Sequence, residues 1–431
     1  MGGTAIPHSI HDWRPAMTLT DDTATAQNNR NGDPIEVARE LTRKWQATVV
    51  ERDKAGGSAT EEREDLRASG LLSVTVPRHL GGWGADWPTA LEVVREIAKV
   101  DGSLGHLFGY HLSTPAVIDL WGSPEQSERL LRQLAENNWW TGNASSENNS
   151  HILEWKVTAT PTDDGGYLLN GIKHFSSGAK GSDLLLVFGV IPEGSPQQGA
   201  IVAAAIPTTR EGVQTNDDWQ ALGMRRTDSG TTEFHNVVVR PDEVLGKPNA
   251  VVEAFLASGR GSLFGPIVQL VFATVYLGIA RGALETAREY TRTQARPWTP
   301  AGVTQAVEDP YTIRSYGEFG IELQAGDAAA REAAQLLQTA WDKGDALTPQ
   351  ERGELTVQVA GVKAIATKAG LDVTSRIFEV IGARGTHPNY GFDRFWRNIR
   401  THTLHDPVSY KIAEVGNYVL NQRYPIPGFT S

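Results

Sequence analysis

The chain has 431 residues, 40% hydrophobic and 21% charged, with a formal net charge of -11, the make-up of a soluble globular protein with room for about three domains. The acidic balance argues against a nucleic-acid partner, which needs clustered Lys and Arg to displace counterions. The absence of cysteine excludes disulfides, iron–sulfur clusters and thiol-ligated zinc, and no metal site is expected.

Residues 1–32 are polar and rich in Asn, Thr and Asp, without the apolar run of a signal peptide. They read as a disordered leader on a cytoplasmic protein. Residues 33–138 read as a helical domain. Ile35, Val37, Ala38, Leu41 and Trp45 recur at helical spacing. A turn-rich break follows from Pro77 to Gly84, and helices resume over 87–100 and 115–121. Near Trp139 the texture changes. Short β-rich runs at 156–159, 167–169, 184–187, 201–206 and 237–239, separated by Gly, Asp, Asn or Pro, predict a compact sheet domain over 139–248. From 249 the helical period returns, with long amphipathic stretches at 275–296, 316–343 and 356–381. A shorter helix is expected at 408–420. The fold class is therefore α+β, and no apolar run of about 18 residues predicts a membrane span.

Individual residues give weaker signals. His106 and Tyr110, four apart, share a helix face, and spacing alone leaves a plain surface pair equally open. Asp406-Pro407 reads as the N-cap and first position of the helix at 408–420. His405, just before it, can point into a cleft, although a lone histidine is more often structural. Gly259 to Gly265 is one residue too long for a dinucleotide fingerprint and follows a helical pattern, and no Walker lysine is present. The chain therefore lacks an evident nicotinamide site.

Four segments in order resemble the acyl-CoA dehydrogenase superfamily. They are Leu71 to Pro77 leading into Gly81-Gly82-Trp83-Gly84; Leu169-Asn170-Gly171-Ile172-Lys173-His174-Phe175-Ser176-Ser177; Leu222-Gly223-Met224-Arg225 with Thr227-Asp228-Ser229; and 237–239 with Val244-Leu245-Gly246. The resemblance implies an N-terminal helical domain, a central β-domain and a C-terminal four-helix bundle with a tail over 249–431. Trp139 to Asn149, Arg292 to Trp298 and Tyr424 to Phe429 narrow it to the branch of two-component flavin monooxygenases that act on aromatic sulfur compounds. That branch implies reduced FMN (FMNH2) from a separate NADH-dependent flavin reductase. It also implies O2, a C4a-hydroperoxyflavin, and a flat sulfur heterocycle such as dibenzothiophene oxidised to sulfoxide and then sulfone. A homo-oligomer, usually a tetramer, is implied too.

By the same resemblance His405 meets the flavin peroxide, where a histidine can supply a hydrogen bond or a proton near neutral pH. His402 is its expected neighbour. His106 and Tyr110 line the cavity beside the flavin with Asn143, Ser177 and Trp219. Phe175 and Phe429 add apolar surface for an aromatic substrate. FAD-binding relatives carry Gln-x-x-Gly-Gly-x-Gly where this chain has Glu379-Val380-Ile381-Gly382-Ala383-Arg384-Gly385. An acid there repels a second phosphate, so Arg384, Gly385 and Arg296 are expected to hold the monophosphate of FMN, with Arg384 reaching a neighbouring subunit. Dehydrogenases of the fold keep a glutamate where this chain has Asp406. A dehydrogenase or oxidase using Asp406 as base is thus the second reading, and a silent flavin-binding protein the third. Segments 145–156 and 294–309 are the expected lids.

Overall fold

The computed structural model describes residues 32–148 and 155–431; the leader, apart from Gly32, lies outside them. The N-terminal layer comprises α1 (Pro34–Gln46), α2 (Val49–Ala55), α3 (Thr60–Ser69), α4 (Trp87–Val100), α5 (Gly102–Trp121) and α6 (Pro124–Asn137). Helix α4 has the expected bounds because its start is written locally: the Asp86 carboxylate accepts the Thr89 N–H at 2.9 Å and a proline sits in the first turn.

Helix α5 corrects the expected start at Pro115. It begins at Gly102, where Asp101 caps the Leu104 N–H at 3.1 Å, and runs through the proline. Pro115 cannot donate to the carbonyl four residues back. The Thr141 hydroxyl takes that His111 carbonyl instead, at 3.2 Å, so the helix continues and carries His106 and Tyr110 on one face.

The middle layer is a seven-stranded sheet: β1 (Thr141–Ala144), β2 (Thr158–Pro161), β3 (Tyr167–Lys173), β4 (Leu184–Val190), β5 (Ile201–Pro207), β6 (Val213–Thr215) and β7 (Thr232–Val239). Its order is β1-β4-β2-β3-β7-β6, with β5 on β4. Strands β1 and β4 run parallel, whereas β3 pairs antiparallel with β2 and β7. Strands β1 and β6, at four and three residues, are too short to show alternation and escaped the sequence pattern.

The C-terminal layer holds α7 (Ala250–Ala257), α8 (Phe264–Thr293), α9 (Pro310–Lys343), α10 (Pro349–Ile381), α11 (Asp393–His402) and α12 (Val408–Asn421). Helix α8 starts eleven residues before its expected position of 275. Every residue from Phe264 to Ala280 is buried, so this stretch is apolar all round and shows no helical period. It is long and apolar enough to cross a membrane, yet it lies wholly inside the molecule. Gly109 lets α5 approach α8: a Cβ there would meet Val271 Cγ1 at 2.5 Å. That approach sets His106 and Tyr110 against Phe272, with ring centroids 6.0 Å away in both cases.

Candidate active site

A cavity of about 850 Å³ opens where α5, the turn after β3, the loop before β7 and the α11–α12 junction converge. This volume suits a small-molecule site. His106, Tyr110, Asn143, Phe175, Ser177, Trp219 and His405 all line it, so seven residues singled out from separate parts of the sequence meet on one surface.

The turn after β3 presents the aromatic wall. Phe175 takes φ 52°, which throws its side chain outward, 56% exposed and set edge-to-face on Trp219 at 6.1 Å. Trp219 is itself fixed by its Nε1–H bond to the Met224 carbonyl at 2.7 Å. Phe175 and Trp219 thus form a paired aromatic surface on the cavity. Together with Asn143, Ser177 and His405 they fit a flat ring that has one polar edge. The Asp406 Oδ2 atom is buried without a partner among the described residues.

The α11–α12 junction corrects the expected role of Asp406. The N-cap of α12 is Pro407, with no side-chain cap bond. Asp406 turns inward instead, because a buried cation waits there. Lys363 of α10 is 1% exposed; its Nζ lies 3.5 Å from Asp406 Oδ1 and 3.1 Å from Gln269 Oε1. Burial pushes Lys363 down to about 8 despite the carboxylate. Burial works against the Asp406 charge, yet the His405 hydrogen bond and the Lys363 charge hold its pKa well below the usual carboxylate range. Asp406 is therefore ionised, and its Oδ1 accepts from His405 Nδ1 at 3.1 Å. That fixes a proton on Nδ1 and leaves Nε2 without a protein partner among the described residues. His405 is 39% exposed, so it can exchange a proton with a bound ligand.

Behind it lies a buried polar chain. His402 stacks parallel to His405 at 6.0 Å without bonding it, and its Nε2 meets His106 Nδ1 at 2.7 Å. Its Nδ1 meets the Tyr276 hydroxyl at 2.9 Å. His106 Nε2 reaches Ser177 Oγ at 3.1 Å, which continues to Ser229 Oγ at 2.8 Å. Burial drives His106 down to about 3 and His402 well below its ordinary value, so both rings are neutral. Burial pushes Tyr110 up to about 12, so it remains a hydroxyl.

Some expected residues lie elsewhere. Phe429 is corrected: it does not line the cavity but is buried in an aromatic cluster with Trp155, Phe188 and Phe255, at 5.6, 5.7 and 5.0 Å. The turn at Gly428, where the Gly428 N–H meets the Ser431 carbonyl at 3.1 Å, directs it into the core. Arg296 and Arg384 are exposed, Gly385 is buried in a 3-10 turn, and none of the three borders this chain's cavity. Of the two lid segments, 149–154 lies outside the described residues. Its flanks are anchored where Glu147 accepts the Lys156 and Val157 N–H groups at 2.6 and 3.0 Å. No residue of 294–309 lines the cavity.

Lys363, Gln269, Tyr276, Thr227 and Ser229 were not singled out as site residues. A sign of Lys363 was present: it is one charge on the apolar i, i+3, i+4 stripe with Val359, Val362 and Ala366, all buried.

The acyl-CoA dehydrogenase N-terminal, middle and C-terminal domain families match residues 35–138, 143–237 and 270–410. A dibenzothiophene monooxygenase from Mycolicibacterium goodii is 94% identical over 96% of this chain and 100% of that protein. A probable FMNH2-dependent monooxygenase from Pseudomonas putida is 42% identical over 92% of this chain and 97% of its own length. Among solved structures, FMN-bound TdsC, a dibenzothiophene monooxygenase from Paenibacillus sp. A11-2, superposes with a TM-score of 0.91 at 52% identity. That match covers 93% of this chain and 100% of the other.

Proposed function

Because the chain belongs to the dibenzothiophene monooxygenase family within the acyl-CoA dehydrogenase superfamily, we propose that it oxidises the sulfur of dibenzothiophene in this cavity, first to the sulfoxide and then to the sulfone. It is a flavin-dependent monooxygenase using reduced FMN. When bound, reduced FMN supplies the two electrons with which dioxygen is divided between the substrate and water.

The observation that carries the reading is the pairing of His405, held by ionised Asp406, with an exposed aromatic wall across one cavity. In each cycle His405 takes up a proton at Nε2 and returns it, where oxygen chemistry needs a timed proton. Asp406 and buried Lys363 keep the imidazole in the tautomer that leaves Nε2 toward the ligand. Phe175 and Trp219 offer a flat face, while Asn143 and Ser177 address polar ring atoms. Tyr110 and His106 close the far wall and shed water from the reaction.

Arg296, Arg384 and Gly385 are assigned to the FMN phosphate of a neighbouring subunit, since they lie outside their own chain's cavity. The active form would then be a homo-oligomer, a tetramer by analogy with the fold. Reduced FMN would arrive from a separate NADH-dependent reductase, and both would work in the cytoplasm. The dehydrogenase reading is not favoured, because the relatives that match along nearly the whole chain are a dibenzothiophene monooxygenase and a probable FMNH2-dependent monooxygenase. The test supplies NADH, FMN, a flavin reductase and dibenzothiophene. Sulfoxide followed by sulfone is expected; flavin turnover without any sulfur-oxidised product would overturn the substrate assignment.

A further inference from the structure

Seven groups in the protein interior form one continuous hydrogen-bonded line: Tyr276, His402, His106, Ser177, Ser229, Thr227 and the Met224 carbonyl. The last two links, Ser229 Oγ to Thr227 Oγ1 and Thr227 Oγ1 to the Met224 carbonyl, are 2.7 and 3.0 Å. Tyr276 also reaches the His402 carbonyl, at 3.1 Å. Each hydroxyl has one proton to give. Each neutral ring likewise has one N–H and one acceptor nitrogen.

Only one arrangement satisfies every link, because the Met224 carbonyl can only accept and so takes the single Thr227 proton. All protons then point from Tyr276 toward the Met224 carbonyl, and both histidines carry the proton on Nε2. The Ser177 proton is engaged by Ser229, and His106 donates to the Ser177 oxygen. One lone pair is all that Ser177 has left for the cavity.

We infer that Ser177 is an obligate hydrogen-bond acceptor toward the cavity, held so by Ser229 and the His106–His402 pair, and that it thereby selects the reduced flavin. This rests on the proposal that Ser177 meets the flavin ring. A reduced flavin carries an additional ring N–H donor where the oxidised ring presents a bare nitrogen. An acceptor-only Ser177 pairs with the first and repels the second. Ser229 acts here as a positioning residue: it touches the selectivity only through the Ser177 proton.

The test compares FMN affinity in both redox states, oxidised by fluorescence quenching and reduced by anaerobic titration. In Ser229→Ala the Ser177 proton is freed to turn into the cavity. The preference for reduced over oxidised FMN should then shrink about tenfold, the size of one net hydrogen bond. Tyr276→Phe leaves both neighbours of Ser177 in place, and its preference should stay within about twofold of the parent. An equal loss for both redox states in Ser229→Ala, or an unchanged ratio, overturns the inference while leaving the flavin assignment intact. Failure of the parent protein to bind FMN in either state overturns both. An independent readout needs no variant: ¹⁵N-histidine NMR of the apoprotein should show His106 and His402 neutral and in the same tautomer. Opposite tautomers, or a charged ring, would remove the basis of the inference.

Discussion

The Lys363 ammonium lies 3.5 Å from Asp406 Oδ1, and that same oxygen holds His405 by its Nδ1. A charge buried in the helical bundle thus reaches the cavity through two contacts. Removing one partner of such a pair leaves the other charge uncompensated, which costs on the order of 3–5 kcal/mol when burial is deep. Lys363→Met should therefore lower stability by an amount toward the lower end of that range, because Asp406 retains some solvent contact. It should also raise the Asp406 pKa and loosen His405. Lys363→Met/Asp406→Asn should regain much of the stability but not the turnover. Urea denaturation and steady-state sulfoxide formation separate the two effects; equal turnover in Lys363→Met and the parent would remove Lys363 from the site.

His405 is expected to matter for chemistry and little for cofactor affinity. Positioned proton transfer contributes roughly 10²- to 10⁴-fold, so His405→Ala should lose sulfoxide formation by about that factor. Oxidised FMN should still bind within about threefold of the parent, a difference under 1 kcal/mol. Hydrogen peroxide release per NADH consumed by the coupled reductase should rise as sulfoxide falls. Asp406→Asn should show a milder form of the same uncoupling, since the amide no longer fixes the Nδ1 proton.

Phe429 illustrates what local sequence can and cannot tell. Phe175 and Ser177 were legible because they sit in a segment that resembles a family motif, and His106 and Tyr110 showed locally only a shared helix face, their place at the cavity coming from the same resemblance. The tail from Gln422 to Ser431 contains no regular element, so nothing local says whether its aromatic ring turns to the cavity or to the core. Lys363 was obscured differently, since a cation in an amphipathic helix normally marks the wet face. Only the fold shows that this one points at Asp406. The buried histidine pair was invisible for a third reason: His106 and His402 are 296 positions apart, and their contact depends on how α5 and α11 pack.

The placement of Phe429 makes a direct prediction. Truncating a buried phenylalanine costs about 3–5 kcal/mol, so Phe429→Ala should unfold at clearly lower urea concentration. The KM for dibenzothiophene in the surviving folded enzyme should change less than about twofold, because the ring does not border the cavity. A large KM change with unaltered stability would return Phe429 to the substrate pocket.

Acid sensitivity follows from three buried neutral histidines. The Thr141 N–H points at His111 Nδ1 at 3.1 Å, so Nε2 carries the proton and donates to the Leu72 carbonyl at 2.7 Å. Burial lowers His111 to about 4 and His106 to about 3 from 6.5, and holds His402 well below 6.5. Below pH 6.5 the unfolded chain binds protons that the folded chain refuses. Stability is therefore full above that pH and falls as pH drops toward 4, by roughly 1.4 kcal/mol per pH unit for each ring once it titrates fully. Asp406, with its lowered pKa, adds a loss of the same sign below about pH 4. Urea midpoints between pH 7.5 and 5 should decline steeply in the parent. His111→Gln should be less stable at every pH, since it disturbs the bonds to Leu72 and Thr141, yet its decline should be shallower by about one third of the three-ring slope. An unchanged slope would mean that His111 takes up its proton in the folded protein, against the geometry of the Thr141 N–H.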